Sequence, residues 1–504
     1  MKKVLLLLLV CAMLIPCLAA CGNKTEKGSS QTTNYWNGDN GDSLYDADGY
    51  LKDSIPSDLK YNNEEIKILY WNNGELGQGE FDPGEDAGST IERAVYSRNM
   101  ATEDRLNVSL NWKGIAGAAS DRDAFISTVT TAFAGGDETR FDLIGGYSQN
   151  MADLAVRGLT LDLMTTSKYL DLGKPWWPDS LVNDMTVSGK LYFASGDIST
   201  TFIGTMLSVY INKDYYPDEN LYDLVYNDQW TLETMYEMIK NQRLDRGTPE
   251  VKDLEDKFGL IVAWTSYLDG FFYGSNLITT DHDSTTGKLR VSRTYIGEKA
   301  DTLCETLKTL FRSEDAWMPD PDDPFSTHVG AVELFARGDA AMMVGTGTTI
   351  LAYQSMLDTD VEYAVLPMPK YNENQKEYKT VNLNLYTLWS IFSGCNVAQG
   401  ERAGAVMECL ASMGYRTVTP VLFDTCLKLR YAKDGDTGKM YDIIRAGVVF
   451  DPGRVFASGA LESITQNNWQ RSVIWPDKTW GAQSAAVDTR LQQLLDNLSK
   501  SFES

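Results

Sequence analysis

Apolar and polar residues along the first half of the chain are ordered so that strand-like runs alternate with helix-like segments. Strands are predicted over 64–71, 107–112 and 141–146, and helices over 89–106, 122–136 and 151–158. Ser89 and Glu92 have the spacing of a capping box, and Gly158 closes the third helix. This alternation predicts a mostly parallel sheet covered on both faces. Ligands bind beyond the carboxyl ends of such strands, which places "WNNGE" (71–75) and "GGYSQN" (145–150) at one crevice.

A second pattern of the same kind begins near Thr201. Strands are predicted over 206–216, 258–264, 340–345 and 361–369, and helices over 230–242, around Phe335, over 401–414 and over 485–498. Thr231 is the expected N-cap of the first of these helices, and Gly414 the expected end of the third. The two patterns together predict an α/β protein.

The stretch "FARGDAAMMVGTGTT" (335–349) has the glycines of a phosphate-binding loop but not its chemistry. It contains no lysine, and its predicted order is helix, turn, strand, whereas a phosphate loop needs strand, loop, helix. Gly338 is the expected end of the helix, and Ala340 to Met342 the expected buried strand. Thr346 and Thr348 then fall at the carboxyl end of that strand, where their hydroxyls are candidates for binding a solute.

The N-terminus is typical of a secretory signal, with Lys2 and Lys3 before an apolar run. Its ending "LAAC" (18–21) resembles a bacterial lipoprotein signal, which implies cleavage before Cys21 and a diacylglycerol on its thiol. Residues 22–63 are rich in Gly, Ser, Asn, Thr and Asp and are expected to form a flexible spacer. Within them, Asp46–Asp53 begins like a calcium loop but lacks its later ligands, so a turn is favoured.

Composition narrows the class of protein. The formal net charge is −25, and loss of Lys2 and Lys3 with the signal makes it −27, so nucleic acid is not an expected partner. The four cysteines beyond Cys21 have no C-x-x-C pairing and are expected to be buried free thiols: Cys304, Cys395, Cys409 and Cys426. The two histidines, His282 and His328, argue against a His-rich metal site and weaken a triad mechanism. No metal or cofactor is expected.

Several pieces of the chain, in order, resemble one family, the extracellular solute-binding proteins (family 1) of ABC importers, in the branch of maltose-binding-protein-like sugar binders. The pieces are "FDLIGGYSQNMADLAVRGLTLDL" (141–163), "GKLYFASGD" (189–197), "YINKDYYPD…WTLETMYEMIK" (210–240), "FARGDAAMMVGTG" (335–347) and "YAVLPMPK" (363–370). They lie in register across 141–370, after the lipoprotein signal. The last 80 residues or so match only loosely.

The resemblance implies a two-lobed periplasmic-binding-protein type II fold, with ligand in the cleft between lobes joined by crossover strands. The first lobe would comprise about 64–200 and 375–425, and the second about 201–374 and 426–504. Hinge closure around the solute would present a surface of both lobes to a membrane permease. The protein would be a monomer, lipid-anchored on the extracellular face of the cell membrane, and would break no bond.

A sugar offers apolar faces to aromatic rings and hydroxyls to amides and carboxylates. The resemblance places ligand contacts in the first and second loops, which here supply Trp71, Asn72 and Glu75, and Tyr147, Ser148 and Gln149. It places polar contacts at the crossover, where this chain has Asp197 and Thr201. Strand-end position adds Trp264 and Tyr267, and an exposed-looking loop adds Trp480. The contact residues of maltose-binding protein are not reproduced position by position, so its ligand is not carried over.

Two other classes of function stay open at the level of sequence. A surface glycan-active enzyme would need two opposed carboxylates, and acids are plentiful, although no nucleophile elbow or metal signature is present. A peptide-binding or adhesive lipoprotein is the second. Within the importer hypothesis a carbohydrate or oligosaccharide is favoured by the 12 tryptophans, with a peptide or polyamine as the alternative.

Overall fold

A computed structural model describes residues 44–46, 49–72, 78–136, 140–248, 251–318, 328–423, 435–475 and 477–503. The chain divides into two units, Met1–Leu51 and Lys52–Ser504. In the first unit the backbone N–H of Tyr50 donates to Asp46 Oδ1 at 2.8 Å, and Gly49 has φ +83°. This confirms the turn predicted within Asp46–Asp53. In the second unit, the Tyr61 N–H already donates to Leu106 O at 2.8 Å, so packed structure begins before residue 64, where the spacer was expected to end.

The strands and helices of the second unit follow the predicted alternation. The strands are β1 Glu64–Trp71, β2 Val108–Ile115, β3 Leu143–Tyr147, β4 Leu207–Asn212, β5 Phe258–Val262, β6 Thr280–His282, β7 Leu289–Val291, β8 Ala316–Trp317, β9 Ala340–Thr346, β10 Tyr363–Pro367 and β11 Thr387–Ile391. The helices up to the middle of the chain are α1 Gln78–Phe81, α2 Thr90–Leu106, α3 Arg122–Gly135, α4 Ser148–Val156, α5 Leu163–Thr166, α6 Asp179–Met185, α7 Thr200–Gly204, α8 Leu221–Tyr226, α9 Leu232–Ile239 and α10 Leu268–Gly274. The later helices are α11 Glu298–Arg312, α12 His328–Ala336, α13 Gly347–Ala352, α14 Gln354–Leu357, α15 Val397–Met413, α16 Gly435–Ala446, α17 Pro452–Val455, α18 Gln466–Ile474 and α19 Trp480–Ser501.

The main strands form two separate sheets. The first has the order β11-β3-β1-β2 and the second the order β10-β4-β9-β5-β8, and β6 and β7 pair alone. Every residue of β3, β4, β5, β9, β10 and β11 is buried. Helices on both faces explain why these strands appear in the sequence as continuous apolar runs.

The prediction of mostly parallel sheets holds except at one strand in each. β11 runs antiparallel to β3, and β4 runs antiparallel to both β9 and β10. Each reversed strand is the one that the chain enters from the other sheet. Thr387 pairs with Tyr147 at the carboxyl end of β3, and Leu207 pairs with Thr346 at the carboxyl end of β9. A chain that arrives at the carboxyl edge of a sheet must run against the strands that end there.

Two chain segments cross between the sheets: the outgoing crossing segment, residues 197–206 before β4, and the returning crossing segment, residues 382–386 before β11. They also bond to each other. Met206 and Asn382 form an antiparallel bridge, and the Leu383 N–H donates to Thr205 O at 2.9 Å. The crossing segments therefore hold the carboxyl edges of the two sheets next to one another.

Helix ends agree with their predicted caps in most places. Ser89 and Glu92 form the capping box of α2, Thr231 caps α9, and Gly338 has φ +81° at the end of α12. Helix α15 ends at Met413 with Gly414 as its C-cap, as predicted, but the chain does not turn away there. It continues through Gly414, with φ −57°, as a π-helical segment. A Cβ on Gly414 would lie 2.0 Å from Asp197 O, so this glycine permits a close backbone approach.

The thiols agree in part with their prediction. Cys304 and Cys409 are free and buried, whereas Cys395 is only half-buried. Cys21 and Cys426 lie outside the described residues.

Candidate functional site

The candidate site lies where the carboxyl edges of the two sheets and the crossing segments meet. On the first sheet, Trp71 ends β1 and its side chain is fully buried. Its Nε1–H donates to Thr387 Oγ1 at 2.9 Å, and its ring centroid lies 5.7 Å from that of Tyr147. Burial raises the pKa of Tyr147. The Trp71 ring thus packs against Tyr147, and the indole N–H of Trp71 is bonded to Thr387 at the start of β11.

Asn72 follows Trp71 and is half-buried. Its N–H donates to Ile115 O at 2.7 Å, while its side-chain Oδ1 is buried without a hydrogen-bond partner in the described structure. A buried amide oxygen without a donor is costly, and a ligand hydroxyl or N–H would satisfy it. Glu75, the third residue predicted in this loop, lies outside the described residues.

Ser148 and Gln149 lie on α4 and not in the expected loop, because the helix begins at Ser148. The Ser148 hydroxyl donates to Asn384 O at 2.7 Å, and its N–H donates to Tyr386 O at 3.0 Å. Ser148 therefore joins the first sheet to the returning crossing segment. Gln149, the next residue, is half-buried.

Beneath Trp71 the structure places a buried polar network that the sequence did not predict. Thr387 Oγ1 donates to Glu80 Oε2 at 3.1 Å and lies 3.3 Å from Thr201 Oγ1. Arg98 donates to Ile198 O at 2.9 Å and to the backbone oxygen of Glu80 at 3.0 Å. Burial raises the pKa of Glu80 to about 7, against its hydroxyl partners and the charge of Arg98. The network ties Trp71 to the outgoing crossing segment.

Asp197 lies on the outgoing crossing segment and is buried. Its carboxylate accepts from Arg445 Nη2 at 2.6 Å and from the Thr419 hydroxyl. Burial raises the pKa of Asp197, while Arg445 and Thr419 oppose that shift. Both oxygens of this predicted contact residue are thus held by the protein itself.

On the second sheet, Trp264 follows β5 with 49% of its surface exposed. Tyr267, three residues later, is buried, and burial raises the pKa of its phenol. Thr346 Oγ1 accepts from the Thr349 N–H at 3.3 Å and so caps α13. The Thr348 hydroxyl donates to Gly204 O at 2.9 Å. The two threonine hydroxyls predicted for a solute are therefore engaged within the protein.

Helix α7 joins the two groups of residues. Thr201 in its first turn contacts Thr387 below Trp71, and Gly204 at its end accepts from Thr348 of the second sheet. The Thr387 N–H also donates to Thr201 Oγ1 at 3.0 Å. We interpret α7 and the returning crossing segment as the base of the candidate site, between the residues of the first sheet and those of the second.

A buried charged set that sequence reasoning missed lies beside Tyr147. Arg454 Nε donates to Asp269 Oδ2 at 3.0 Å, and Arg454 Nη1 donates to Asn384 Oδ1 at 2.5 Å. Gln470 Nε2 donates to Asp269 Oδ1 at 2.6 Å. Nothing in the local sequence marks these residues, which come together from α10, α17, α18 and the returning segment. Within this set the charges of Arg454 and Asp269 offset each other.

The expectation that Trp480 lies in an exposed loop is wrong. It is the first residue of α19 and is fully buried. Its Nε1–H donates to Tyr295 O at 2.7 Å, and the two rings lie 4.8 Å apart. Its environment is the packing between α19 and the segment around Tyr295, not the strand ends described above.

Over the described ranges, no group of three or more His, Cys, Asp or Glu side chains is arranged to hold a metal ion. In the same residues no helix has the length and apolar character needed to span a bilayer.

Comparison with known proteins supports the geometry. The family model described as bacterial extracellular solute-binding protein matches residues 118–413, more than half of the chain. Among solved structures, the chain is similar to a cyclo/maltodextrin-binding protein complexed with maltotetraose, with a TM-score of 0.55 and 11% identity over 88% of this chain and 97% of that one. No curated protein matches the sequence. The fold is the two-lobed periplasmic-binding-protein type II fold, whose lobes are joined by crossover strands.

Proposed function

Because the chain belongs to the bacterial extracellular solute-binding protein family, we propose that it captures a carbohydrate or oligosaccharide and delivers it to the permease of an ABC importer. The family makes it a solute-binding protein of the ABC importer type that works outside the cytoplasm. Its family and fold are those of substrate-binding proteins, which are not enzymes. The solute, the anchor and the delivery step are the parts proposed.

Two side chains carry the carbohydrate proposal: the half-exposed indole of Trp264, beyond a strand of the second sheet, and the unpaired amide oxygen of Asn72, beyond a strand of the first. Trp264 is 49% exposed beyond β5, and Asn72 Oδ1 is buried without a donor beyond β1. An indole face suits the C–H face of a sugar ring, and an amide oxygen suits its hydroxyls. The solved maltodextrin-binding neighbour was complexed with maltotetraose, which favours the same solute class.

A ligand screen by thermal shift tests the solute class. Sugars, oligosaccharides, amino acids, peptides and polyamines are each added to the mature protein. A true ligand at 100 times its dissociation constant stabilises the folded state by about 2.7 kcal/mol. A shift of the melting temperature with peptides or polyamines alone would make the carbohydrate assignment wrong.

A tryptophan pair gives the matched test of the site. Trp264→Ala should weaken binding of the carbohydrate found in the screen by about tenfold or more, because stacking on an aromatic ring contributes on the order of 1 kcal/mol or more. Trp475→Ala is the control, since Trp475 is 43% exposed beyond the end of α18. Calorimetric titration of both variants should show a loss only in the first. Equal affinities of the two variants for the carbohydrate would show that Trp264 does not contact it.

We propose that Cys21 carries the lipid that anchors the mature chain to the extracellular face of the cell membrane. The support is the sequence "LAAC" after the basic and apolar N-terminal region. Cys21→Ser should release the protein to the medium or leave its signal uncleaved. Normal cleavage with unchanged membrane retention would contradict the anchor.

We propose that the protein acts as a monomer whose lobes close on the solute. The division of the strands supports the proposed lobes: the first sheet uses strands from 64–147 and 387–391, and the second uses strands from 207–367. Helix α16, within 426–504, packs against β10 of the second sheet. Closure would bring Trp264 toward Tyr147 across α7.

A further inference from the structure

A second concave site lies beside β2, the edge strand of the first sheet. It is a cavity of about 520 Å³, and the residues that define it here as the basic pocket are Lys67, Asn111, Lys113, Thr131 and Arg140. None of them belongs to the candidate solute site described above.

Strand register explains why these side chains share one face. Lys67 pairs with Asn111, and Leu69 pairs with Lys113, in the parallel ladder between β1 and β2. Residues paired in a parallel ladder point to the same face, and so do residues two apart on a strand. Lys67, Asn111 and Lys113 therefore lie on one face of the sheet, where α3 supplies Thr131 to the pocket.

The positive charges of the pocket are only partly compensated. Arg140 Nη2 lies 3.4 Å from Asp142 Oδ1, and Lys113 Nζ lies 5.4 Å from the centroid of Phe141. In the part of the chain that the structure describes, the ammonium groups of Lys67 and Lys113 form no ion pair. Placing the two lysine ammonium groups on one face costs free energy through mutual repulsion, which the nearby carboxylates of Asp142 and Glu65 offset only in part.

Neutral hydrogen-bonding groups complete the pocket. Ser127 and Thr131 of α3 line it with hydroxyls that can donate, whereas the Thr128 hydroxyl beside them already donates to Ala124 O at 3.0 Å. Asn111 Nδ2 donates to Glu65 Oε1 at 2.7 Å at the rim. Ammonium, guanidinium and hydroxyl donors around one cavity match an anion that carries several oxygens.

We propose that the basic pocket binds a phosphate-bearing ligand at a site separate from the solute cleft. The phosphate oxygens would accept from Lys67, Lys113 and Arg140, with Thr131 as an additional donor. The phosphate would compensate the two lysine charges that lack an ion-pair partner. The same chemistry is offered by a free phosphate compound and by the headgroup of an anionic phospholipid, and separate probes distinguish them.

The test uses the mature protein, sodium pyrophosphate and phospholipid vesicles. Pyrophosphate is titrated calorimetrically at low ionic strength, and sedimentation is measured with vesicles of phosphatidylglycerol and phosphatidylcholine against vesicles of phosphatidylcholine alone. The variant Lys67→Gln/Lys113→Gln should weaken the binding that occurs by about tenfold, since it removes two charge-assisted hydrogen bonds.

The matched control is Lys376→Gln/Lys500→Gln, which removes the same charge from two exposed positions outside the pocket. If the protein binds pyrophosphate and only the pocket variant loses that binding, the ligand is a soluble phosphate compound. If the protein binds only the phosphatidylglycerol vesicles and only the pocket variant loses that binding, the ligand is a lipid headgroup. Absence of binding to both probes, or equal loss in the two variants, would overturn the proposal. Melting temperatures of both variants should equal the parent value, and affinity for the cleft solute should be unchanged by Lys67→Gln/Lys113→Gln.

Discussion

The buried pair of Glu80 and Arg98 sets the local electrostatics beneath Trp71. Both residues are almost fully buried, and burial raises the pKa of Glu80 to about 7 while it lowers that of Arg98 to about 10. Loss of hydration therefore outweighs the attraction between the two charges, as is common for buried charged groups. The hydroxyls of Ser199, Thr201 and Thr387 oppose this rise in the pKa of Glu80 and make a carboxyl at this position tolerable.

Glu80→Gln should flatten the pH dependence of stability. A carboxyl whose folded-state pKa is raised from 4.5 to about 7 contributes stability below pH 4.5 that is lost as the pH rises through 7. Between pH 5 and 8 the parent protein should lose on the order of 2 kcal/mol from this group, and the glutamine variant should not. Urea denaturation at several pH values measures the difference. Glu333→Gln, at an exposed helix position, serves as the control, and identical slopes for the parent and Glu80→Gln would contradict the prediction.

At the scale of elements, helix starts position the edges of the site. Helix α13 begins directly after β9, and Thr346 and Thr349 cap it reciprocally. Helix α4 begins directly after β3, and Ser148 in its first turn bonds the returning crossing segment. At these two strand ends the chain passes into a helix without a loop. The polar side chains there therefore form hydrogen bonds with the protein's own backbone.

Thr346→Ala should lower the free energy of unfolding by about 1 kcal/mol, because it removes the N-cap of α13. Thr346→Ser keeps the hydroxyl and should recover most of this loss. Equilibrium denaturation of the two variants compares them. Full stability of the alanine variant would mean that the cap does not matter, and a loss of solute affinity with unchanged stability would instead favour the sequence hypothesis of a direct solute contact.

At the scale of the whole molecule, Asp197 links elements that pack on different sheets. Arg445 lies on α16, which packs against β10 of the second sheet, while Thr419 follows α15, which packs against β11 of the first sheet. The close backbone approach of Gly414 to Asp197 O lies at the same place. This contact therefore fixes where the two parts of the chain meet.

Asp197→Asn should reduce stability by about 2 kcal/mol, because Arg445 loses its carboxylate partner while the hydrogen bond from Thr419 is retained. Arg445→Lys keeps the charge and should cost less. Urea denaturation of both variants measures the order. A larger loss for Arg445→Lys than for Asp197→Asn would contradict the ion-pair explanation.

Solute binding should make the molecule more compact. Hinge closure reduces the radius of gyration, and small-angle X-ray scattering with and without the identified solute measures that change. The Trp264→Ala variant at the same solute concentration is the control, and it should stay at the unbound value. An unchanged radius for the parent protein at saturating solute would exclude closure.

The order and type of the main elements follow from the local pattern of apolar and polar residues. Continuous apolar runs predicted β3, β5, β9 and β10 because strands buried on both faces tolerate no polar alternation. Local chemistry predicted the caps at Ser89 and Thr231 and the turn at Gly338, since each depends only on neighbouring residues. The family resemblance added the two-lobed fold, and it indicated Trp71 and Tyr147, which the structure brings into ring contact.

The local pattern does not show which polar groups are hydrogen-bonded within the protein and which stay available to a ligand. That depends on how the folded chain packs. Three residues that the sequence marks as candidate ligand contacts are instead bonded within the protein. Thr346 caps a helix through Thr349, while Thr348 and Asp197 bond Gly204 and Arg445, which are distant in the chain. The sequence marks both Trp480 and Trp264 as candidate ligand contacts, but Trp480 is fully buried and Trp264 is half exposed. Hydrogen bonding and burial depend on residues brought together from far along the chain, as Arg454 and Asp269 are, and local pattern carries no information about those encounters.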